Sequence, residues 1–183
     1  DPISYKLGDA GKDFTYTVEE VKGEEAGVSY DSSKYTVVAH VTDNGDGSLS
    51  VTTEVTKAAK ENEEAQPANA IVFNNKYEAT GKLDLTAEKS LTGKALVAGA
   101  YSFTLSNKEN EVLQTKTNDK DGKVTFDTIN YTLGDIGTHT YQVSEVKGSE
   151  NGVTYDETIY TVEVTVSDNG DGTLKVEKQI TAA

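Results

Sequence analysis

Apolar and polar side chains alternate along most of this chain in short stretches that are separated by turn-forming residues. Alternation with a period of two is typical of strands that have one face against a core. The stretch 83–91 places Leu83, Leu85, Ala87, Lys89 and Leu91 on one face, and further strands are predicted at 100–105, 112–117 and 124–126. The regular spacing of short strands and turns predicts an all-β protein built as a β-sandwich.

The pattern occurs twice, because residues 3–57 and 129–182 are two copies of one sequence. Between 20–57 and 145–182, 21 of 38 positions are identical. Each copy predicts a strand at 14–21 or 140–146, a second at 35–41 or 160–166, and a hairpin to a third at 49–55 or 174–180. The repeat indicates two related folding units in one chain.

The stretch 71–77 ends the first unit and is predicted to be a strand whose inward face carries Ile71, Phe73, Asn75 and Tyr77. A buried primary amide without a partner costs roughly 1–3 kcal/mol. Asn75 therefore needs either a hydrogen-bonding group or a group that reacts with it.

The repeat is out of phase with the chain. A complete unit would run from about Leu83 through the repeated block to a closing strand like 71–77. We therefore expect residues 1–77 to be the C-terminal part of one repeat, and residues 78–183 to be the next repeat without its last strand. The segment 57–65 has helix-forming composition without an apolar stripe, which favours a solvated loop or a short surface helix.

Composition excludes several classes of function. The chain has no cysteine, two histidines and a net charge of -14, which argues against a disulfide framework, a zinc cluster, a catalytic triad, nucleic acid and anionic membranes. No apolar run approaches the ~20 residues of a membrane helix, and residues 1–3 do not look like a signal peptide. The two Asp-Asn-Gly-Asp-Gly stretches lack the ligand spacing of a calcium loop, so we interpret them as hairpin turns and expect no metal or other cofactor.

Three kinds of polar residue occupy inward positions of predicted strands: Lys89, Asn75, and the equivalent glutamates Glu20 and Glu145. Lysine, glutamate and asparagine are rarely placed there. A lysine at a sheet edge, a salt bridge and an asparagine that satisfies backbone groups would explain them one at a time. Their recurrence within one repeat favours a shared role.

The segments 89–93, 99–105, 140–145, 155–156 and 168–172, with the closing Phe73-Asn74-Asn75-Lys76-Tyr77, resemble the streptococcal-type pilin isopeptide-linkage repeat. That family is related to the Cna B-type immunoglobulin-like domains of Gram-positive surface proteins. The resemblance implies an immunoglobulin-like sandwich with a self-formed amide bond between Lys89 and Asn75, assisted by a buried glutamate. Either Glu145 or Glu20 could be that assisting acid.

The chain departs from the family because no Phe-x-Asn-x-Tyr follows Lys89 and no first-strand lysine precedes Asn75. A direct bond between the two within one chain is not expected, because the first and last strands of the family are parallel and parallel neighbours need a crossover of about a dozen residues or more. Either no bond forms, or Lys89 of one chain meets Asn75 of another by strand exchange.

The resemblance implies a non-enzymatic tandem repeat of a Gram-positive pilin or adhesin stalk, extracellular and attached to the cell wall through other parts of the protein. Its expected partners are neighbouring repeats and, through strand exchange, another copy of the chain. The alternative is an adhesin domain that binds a host protein or glycan. A glycan-active enzyme would need paired carboxylates in a cleft, whereas the acids here are scattered over predicted solvent faces.

Overall fold

The computed structural model describes residues 2–59 and 64–182, and the chain divides into two compact units, Asp1–Lys76 and Tyr77–Ala183. The described residues form strands and two short 3-10 helices. The predicted all-β, immunoglobulin-like sandwich is therefore confirmed as the fold class. The prediction for 57–65 falls largely on residues 60–63, which lie outside the described residues.

The first unit contains the 3-10 helix Leu7–Asp9 and the strands β1 (Asp13–Glu19), β2 (Val28–Ser29), β3 (Lys34–Asp43), β4 (Leu49–Lys57) and β5 (Gln66–Pro67). The strand β6 (Lys76–Tyr77) crosses the division between the units. The first unit is built on one antiparallel sheet in the order β1-β3-β4-β5. The buried apolar residues in the described part of this unit are Tyr35, Ala39 and Val41.

The elements of the second unit are β7 (Thr80–Leu83), β8 (Thr86–Glu88), β9 (Ser102–Asn107), β10 (Val112–Thr117), β11 (Lys123–Thr125), β12 (Ile129–Thr132), the 3-10 helix Leu133–Asp135, β13 (Gly137–Glu145), β14 (Ile159–Asp168) and β15 (Leu174–Ala182). They form a five-stranded sheet in the order β10-β9-β13-β14-β15 and the two-stranded pairs β11-β8 and β12-β7. A single core, with Leu105, Val124 and Val164 fully buried, fills this unit.

The sequence repeat is also a structural repeat. Tyr16 pairs with Val37 in the first unit, and the equivalent Tyr141 pairs with Val162 in the second. The Leu-Gly-Asp sequence forms a 3-10 helix in both copies. Because identical residues take identical registers, the two copies can be compared atom by atom.

The structure corrects the prediction of one continuous strand at 83–91. The stretch is divided into β7, which pairs with β12, and β8, which pairs with β11. The partner changes because β11 and β12 are themselves separate strands. Leu83 and Leu85 are nevertheless both buried, at 4% and 3% exposure, so the alternation predicted the buried face correctly and the strand continuity wrongly.

The stretch 71–77 also differs from the sequence prediction. Only Lys76–Tyr77 forms a strand, Ile71 is 38% exposed, and Asn75 is exposed rather than buried. Phe73 still packs edge-on against Tyr35, with ring centroids 5.5 Å apart. The described part of the first unit contains no strand that covers the Asn75 side chain, which explains its exposure.

Candidate functional site

Lys89 and Glu145 form a buried ion pair in the second unit. The Lys89 Nζ atom lies 2.9 Å from each carboxylate oxygen of Glu145, and the two side chains are 10% and 3% exposed. Glu145 is the last residue of β13, and Lys89 directly follows β8. The Lys89 N–H donates to the Gly122 carbonyl oxygen at 2.8 Å, which fixes the backbone beneath the lysine.

An aromatic ring and several apolar side chains lie beside this pair. The Lys89 Nζ atom lies 4.6 Å from the centre of the Tyr101 ring, a distance at which the π face attracts a cation. The pair borders a groove of about 390 Å³ in the second unit, whose lining includes Leu85, Phe103, Val143, Asp156, Tyr160 and Ile180.

The two oxygens of Glu145 are not equally satisfied. Its Oε2 atom accepts hydrogen bonds from Lys89 Nζ at 2.9 Å and from the Asp156 N–H at 3.0 Å. Its buried Oε1 atom, although close to the ammonium, receives no hydrogen bond from any group in the described part of the chain. The ammonium 2.9 Å away balances the charge on this oxygen, and a carboxylate oxygen can accept more than one hydrogen bond, so this atom has room for a further donor.

In the first unit, Glu20 holds Asn75. The Asn75 Nδ2 group donates to Glu20 Oε1 at 2.6 Å, while the Asp31 N–H donates to Glu20 Oε2 at 3.1 Å and to Asn75 Oδ1 at 2.8 Å. The contact between Glu20 Oε2 and the Asp31 N–H is equivalent to the contact between Glu145 Oε2 and the Asp156 N–H. The contact between Glu20 Oε1 and the asparagine amide has no equivalent at Glu145 among the described residues.

The structure therefore brings together the predicted site residues in two pairs, Lys89 with Glu145 and Asn75 with Glu20. Each pair lies within its own unit and is built around an equivalent glutamate.

The sequence analysis missed the residues that hold the closing segment. In the first unit, the Tyr35 hydroxyl donates to the Val72 carbonyl oxygen at 2.8 Å, and the Asp31 carboxylate accepts from the Asn74 N–H at 2.8 Å. Hydrogen bonds from Ser33 and from the Asn74 N–H lower the pKa of Asp31 to about 2. Both residues recur in the repeat as Tyr160 and Asp156, which was the available signal.

The two Asp-Asn-Gly-Asp-Gly stretches are hairpin turns closed by their own side chains. Asp43 Oδ1 accepts from the Gly45 N–H, and Asp168 Oδ1 accepts from the Gly170 N–H, both at 2.9 Å. Residues 2–59 and 64–182 contain no group of three or more His, Cys, Asp or Glu side chains arranged to hold a metal ion. In the same residues, no helix is long and apolar enough to cross a membrane.

Comparison with known proteins gives one family. No curated protein matches the chain. The sequence model of the family FctA, described as a Spy0128-like isopeptide-containing domain, matches residues 1–78 and again residues 85–183. The chain therefore belongs to the FctA family of Spy0128-like isopeptide-containing domains.

Proposed function

We propose that the chain is part of the stalk of a Gram-positive cell-surface pilin or adhesin, and that a self-formed amide bond joins Lys89 to Asn75 with the help of Glu145. The family is one of pilin-type structural domains rather than of enzymes, and it implies a surface-exposed protein. The observation that carries the proposal is that Glu145 Oε1 faces the Lys89 ammonium, while the equivalent atom of Glu20 accepts the Asn75 amide, so one glutamate position can contact both reacting groups.

A complete reaction centre combines the two halves on one glutamate. Lys89 Nζ and the asparagine Nδ2 would then both contact the same carboxylate oxygen, which holds amine and amide within a few ångströms of each other. Well-oriented groups reach effective molarities of about 10⁵–10⁸ M. This is the scale that attack on an unactivated amide needs.

The reaction balances without any further reagent. The amine attacks the asparagine Cγ atom, the Cγ–Nδ2 bond breaks, and ammonia leaves. Of the three protons of the starting ammonium, one stays on the new amide nitrogen, one departs in ammonia, and one remains on the Glu145 carboxyl. The glutamate is the proton carrier between the two nitrogens.

The proposed domain organisation, with residues 1–77 as the C-terminal part of one repeat and 78–183 as a repeat without its last strand, is supported by one pair of equivalent residues. Tyr35 is 3% exposed beneath the segment 72–73, whereas Tyr160 is 42% exposed at the groove of the second unit. A segment equivalent to 71–77 is what the groove lacks.

We assign this place to residues 71–77 of a second copy of the chain. The groove presents Glu145, Asp156 and Tyr160, the counterparts of the residues that hold this segment in the first unit. When segment 71–77 moves to the groove of a second copy, each of these contacts is therefore replaced by an equivalent one. The segment also gains a neighbour that the first unit does not offer, the amine of Lys89. The amide bond makes the exchange irreversible, and tension along the stalk would then pass through a covalent bond.

The test separates the two reacting groups onto different chains. The K89A variant supplies only the asparagine, and the N75A variant supplies only the lysine. Neither should crosslink alone, but their mixture should give a dimer that survives boiling in SDS, with the mass of two chains less one ammonia. Lys120→Ala and Asn151→Ala, at exposed positions, are matched controls that should crosslink like the wild type.

The glutamates are distinguished in the same mixture. Glu145→Gln in the lysine-supplying chain should stop the reaction, whereas Glu20→Gln in that chain should not. Monomers only, in the mixture and in the wild type, would contradict the proposal. A wild-type monomer lighter by one ammonia would show that the bond forms within one chain and would refute the exchange.

A further inference from the structure

Asp31 contacts the reactive asparagine and the residue before it. Its N–H donates to Asn75 Oδ1 at 2.8 Å, and its Oδ2 atom accepts from the N–H of Asn74, the preceding residue, also at 2.8 Å. Its Oδ1 atom accepts from the Ser33 N–H at 2.8 Å, which fixes the orientation of the carboxylate. One residue thus holds both the side-chain carbonyl of Asn75 and the backbone before it.

These contacts decide which way the Asn75 amide points. A backbone N–H can donate only to an oxygen, so the carbonyl oxygen faces Asp31 and the Nδ2 group faces Glu20. The oxygen that faces Asp31 is the atom that takes up negative charge when an amine attacks Cγ. The nitrogen that faces the glutamate is the one that leaves as ammonia. The N–H of the aspartate is therefore placed as an oxyanion-hole donor.

Asp156 repeats this arrangement beside the lysine. Its N–H donates to Glu145 Oε2 at 3.0 Å, as the Asp31 N–H does to Glu20, and its Oδ1 atom accepts from the Thr158 N–H at 2.9 Å. Hydrogen bonds from Thr158, with a contribution from the charge of Lys89, lower the pKa of Asp156. The aspartate is therefore a charged acceptor at the edge of the groove.

We infer that Asp156 is the positioning residue of the amide-forming reaction: its main-chain N–H polarises the asparagine carbonyl, and its carboxylate fixes the backbone N–H of the residue before the asparagine. Asp31 holds the same segment in its resting place and takes no part in the bond. This inference rests on the proposed function, because it names the groups that orient the electrophile of that reaction.

The two aspartates are matched controls for each other in the mixed-chain reaction. Asp156→Ala in the lysine-supplying chain should slow crosslinking by roughly ten- to a hundredfold, because the asparagine loses its alignment. Asp31→Ala in the asparagine-supplying chain should leave the rate unchanged or raise it, since it only frees the segment. Asp156→Asn, whose amide oxygen can still accept the N–H, should recover most of the rate, which a merely structural role would not predict.

The main-chain donor is tested by Asp156→Pro, which removes the N–H. Because proline also lacks the carboxylate, the rate is compared with that of Asp156→Ala. We expect a further loss of about 10²-fold, typical of an oxyanion-hole donor, provided that the variant melts like the parent. If it misfolds, the Ala and Asn pair decides. Equal rates for Asp156→Ala and the parent, or an equal loss with Asp31→Ala, would overturn the inference.

The mixed-chain reaction also separates failure of the inference from failure of the proposed function. If the parent chains crosslink and Asp156→Ala does not slow them, the inference fails and the proposed function stands. If the parent chains never crosslink, the proposed function fails and the inference fails with it.

Discussion

The buried pair of Lys89 and Glu145 makes a prediction about stability that does not depend on crosslinking. In an Asn75→Ala background, where no bond can form, Lys89→Met leaves the Glu145 carboxylate buried without its counter-ion. Removing one partner of a buried ion pair typically costs about 3–5 kcal/mol. The Asp156 N–H still donates to Glu145 at 3.0 Å, so we expect the lower end, about 3 kcal/mol.

The assay must report on the second unit by itself. Hydrogen exchange at the Val164 amide, measured across urea concentrations, serves this purpose. Val164 lies on β14 and is fully buried, so its amide hydrogen exchanges only when the core of the second unit unfolds. With a urea slope of about 1–3 kcal/mol per molar, the loss should move the unfolding midpoint of this unit by at least about 1 M. The control is Lys147→Met, which breaks the ion pair between Lys147 and Glu157. The side chains of these two residues are 74% and 73% exposed, so this substitution should barely move the midpoint.

A double variant separates charge from packing. Lys89→Met with Glu145→Leu removes both charges and should recover most of the lost stability, because replacing a whole buried pair by apolar residues is often neutral. If Lys89→Met costs no more than the exposed control, the pair is not desolvated and the reasoning is wrong. If the double variant is as unstable as the single one, the loss comes from packing around the lysine stem.

Three further predictions concern other sites. The hydrogen bond that the His40 ring donates to the Asp13 carboxylate raises the pKa of His40. The stability that His40 gives over His40→Gln should therefore be complete below about pH 6.5 and be lost as the pH rises through the raised pKa. It should vanish in Asp13→Asn, as urea midpoints across pH would show. Gly122→Ala should destabilise the second unit more than Gly93→Ala in thermal melts, because both glycines have positive φ but only at Gly122 would a Cβ meet a backbone oxygen, at 2.2 Å. Asn118→Ala should cost roughly 1–3 kcal/mol in urea unfolding, since this 2% exposed amide bonds three backbone groups.

The repeat made the sheets predictable from the sequence. Alternation and the repeat predicted the strands β13, β14 and β15, and equivalent positions such as Val37 and Val162 take equivalent partners. Alternation alone could not show that β7 and β8 are separate, because both keep their leucines buried while pairing with different strands. Strand continuity depends on the partner, which a local pattern does not contain.

The candidate site was predictable in its residue types but not in its contacts. A lysine and a glutamate on inward positions need each other, and Lys89 and Glu145 do pair. The role of Asp31 could not be read from its sequence, because it acts through a main-chain N–H and through a carboxylate that caps a residue 43 positions away. Neither contact has a signature in residue type or spacing, and only the recurrence of this aspartate as Asp156 marks the position in the sequence.

The buried ion pair has a further meaning if the proposed reaction occurs. A desolvated lysine–glutamate pair is often no more stable than apolar residues of the same size, because both charges are taken out of water. The amide bond would remove both charges, because the lysine nitrogen ends as a neutral amide and the third proton neutralises the carboxyl. The pair is then better understood as the reactant of a single irreversible step than as a stabilising contact. On this reasoning, the gain in stability on crosslinking should exceed that from chain restriction alone.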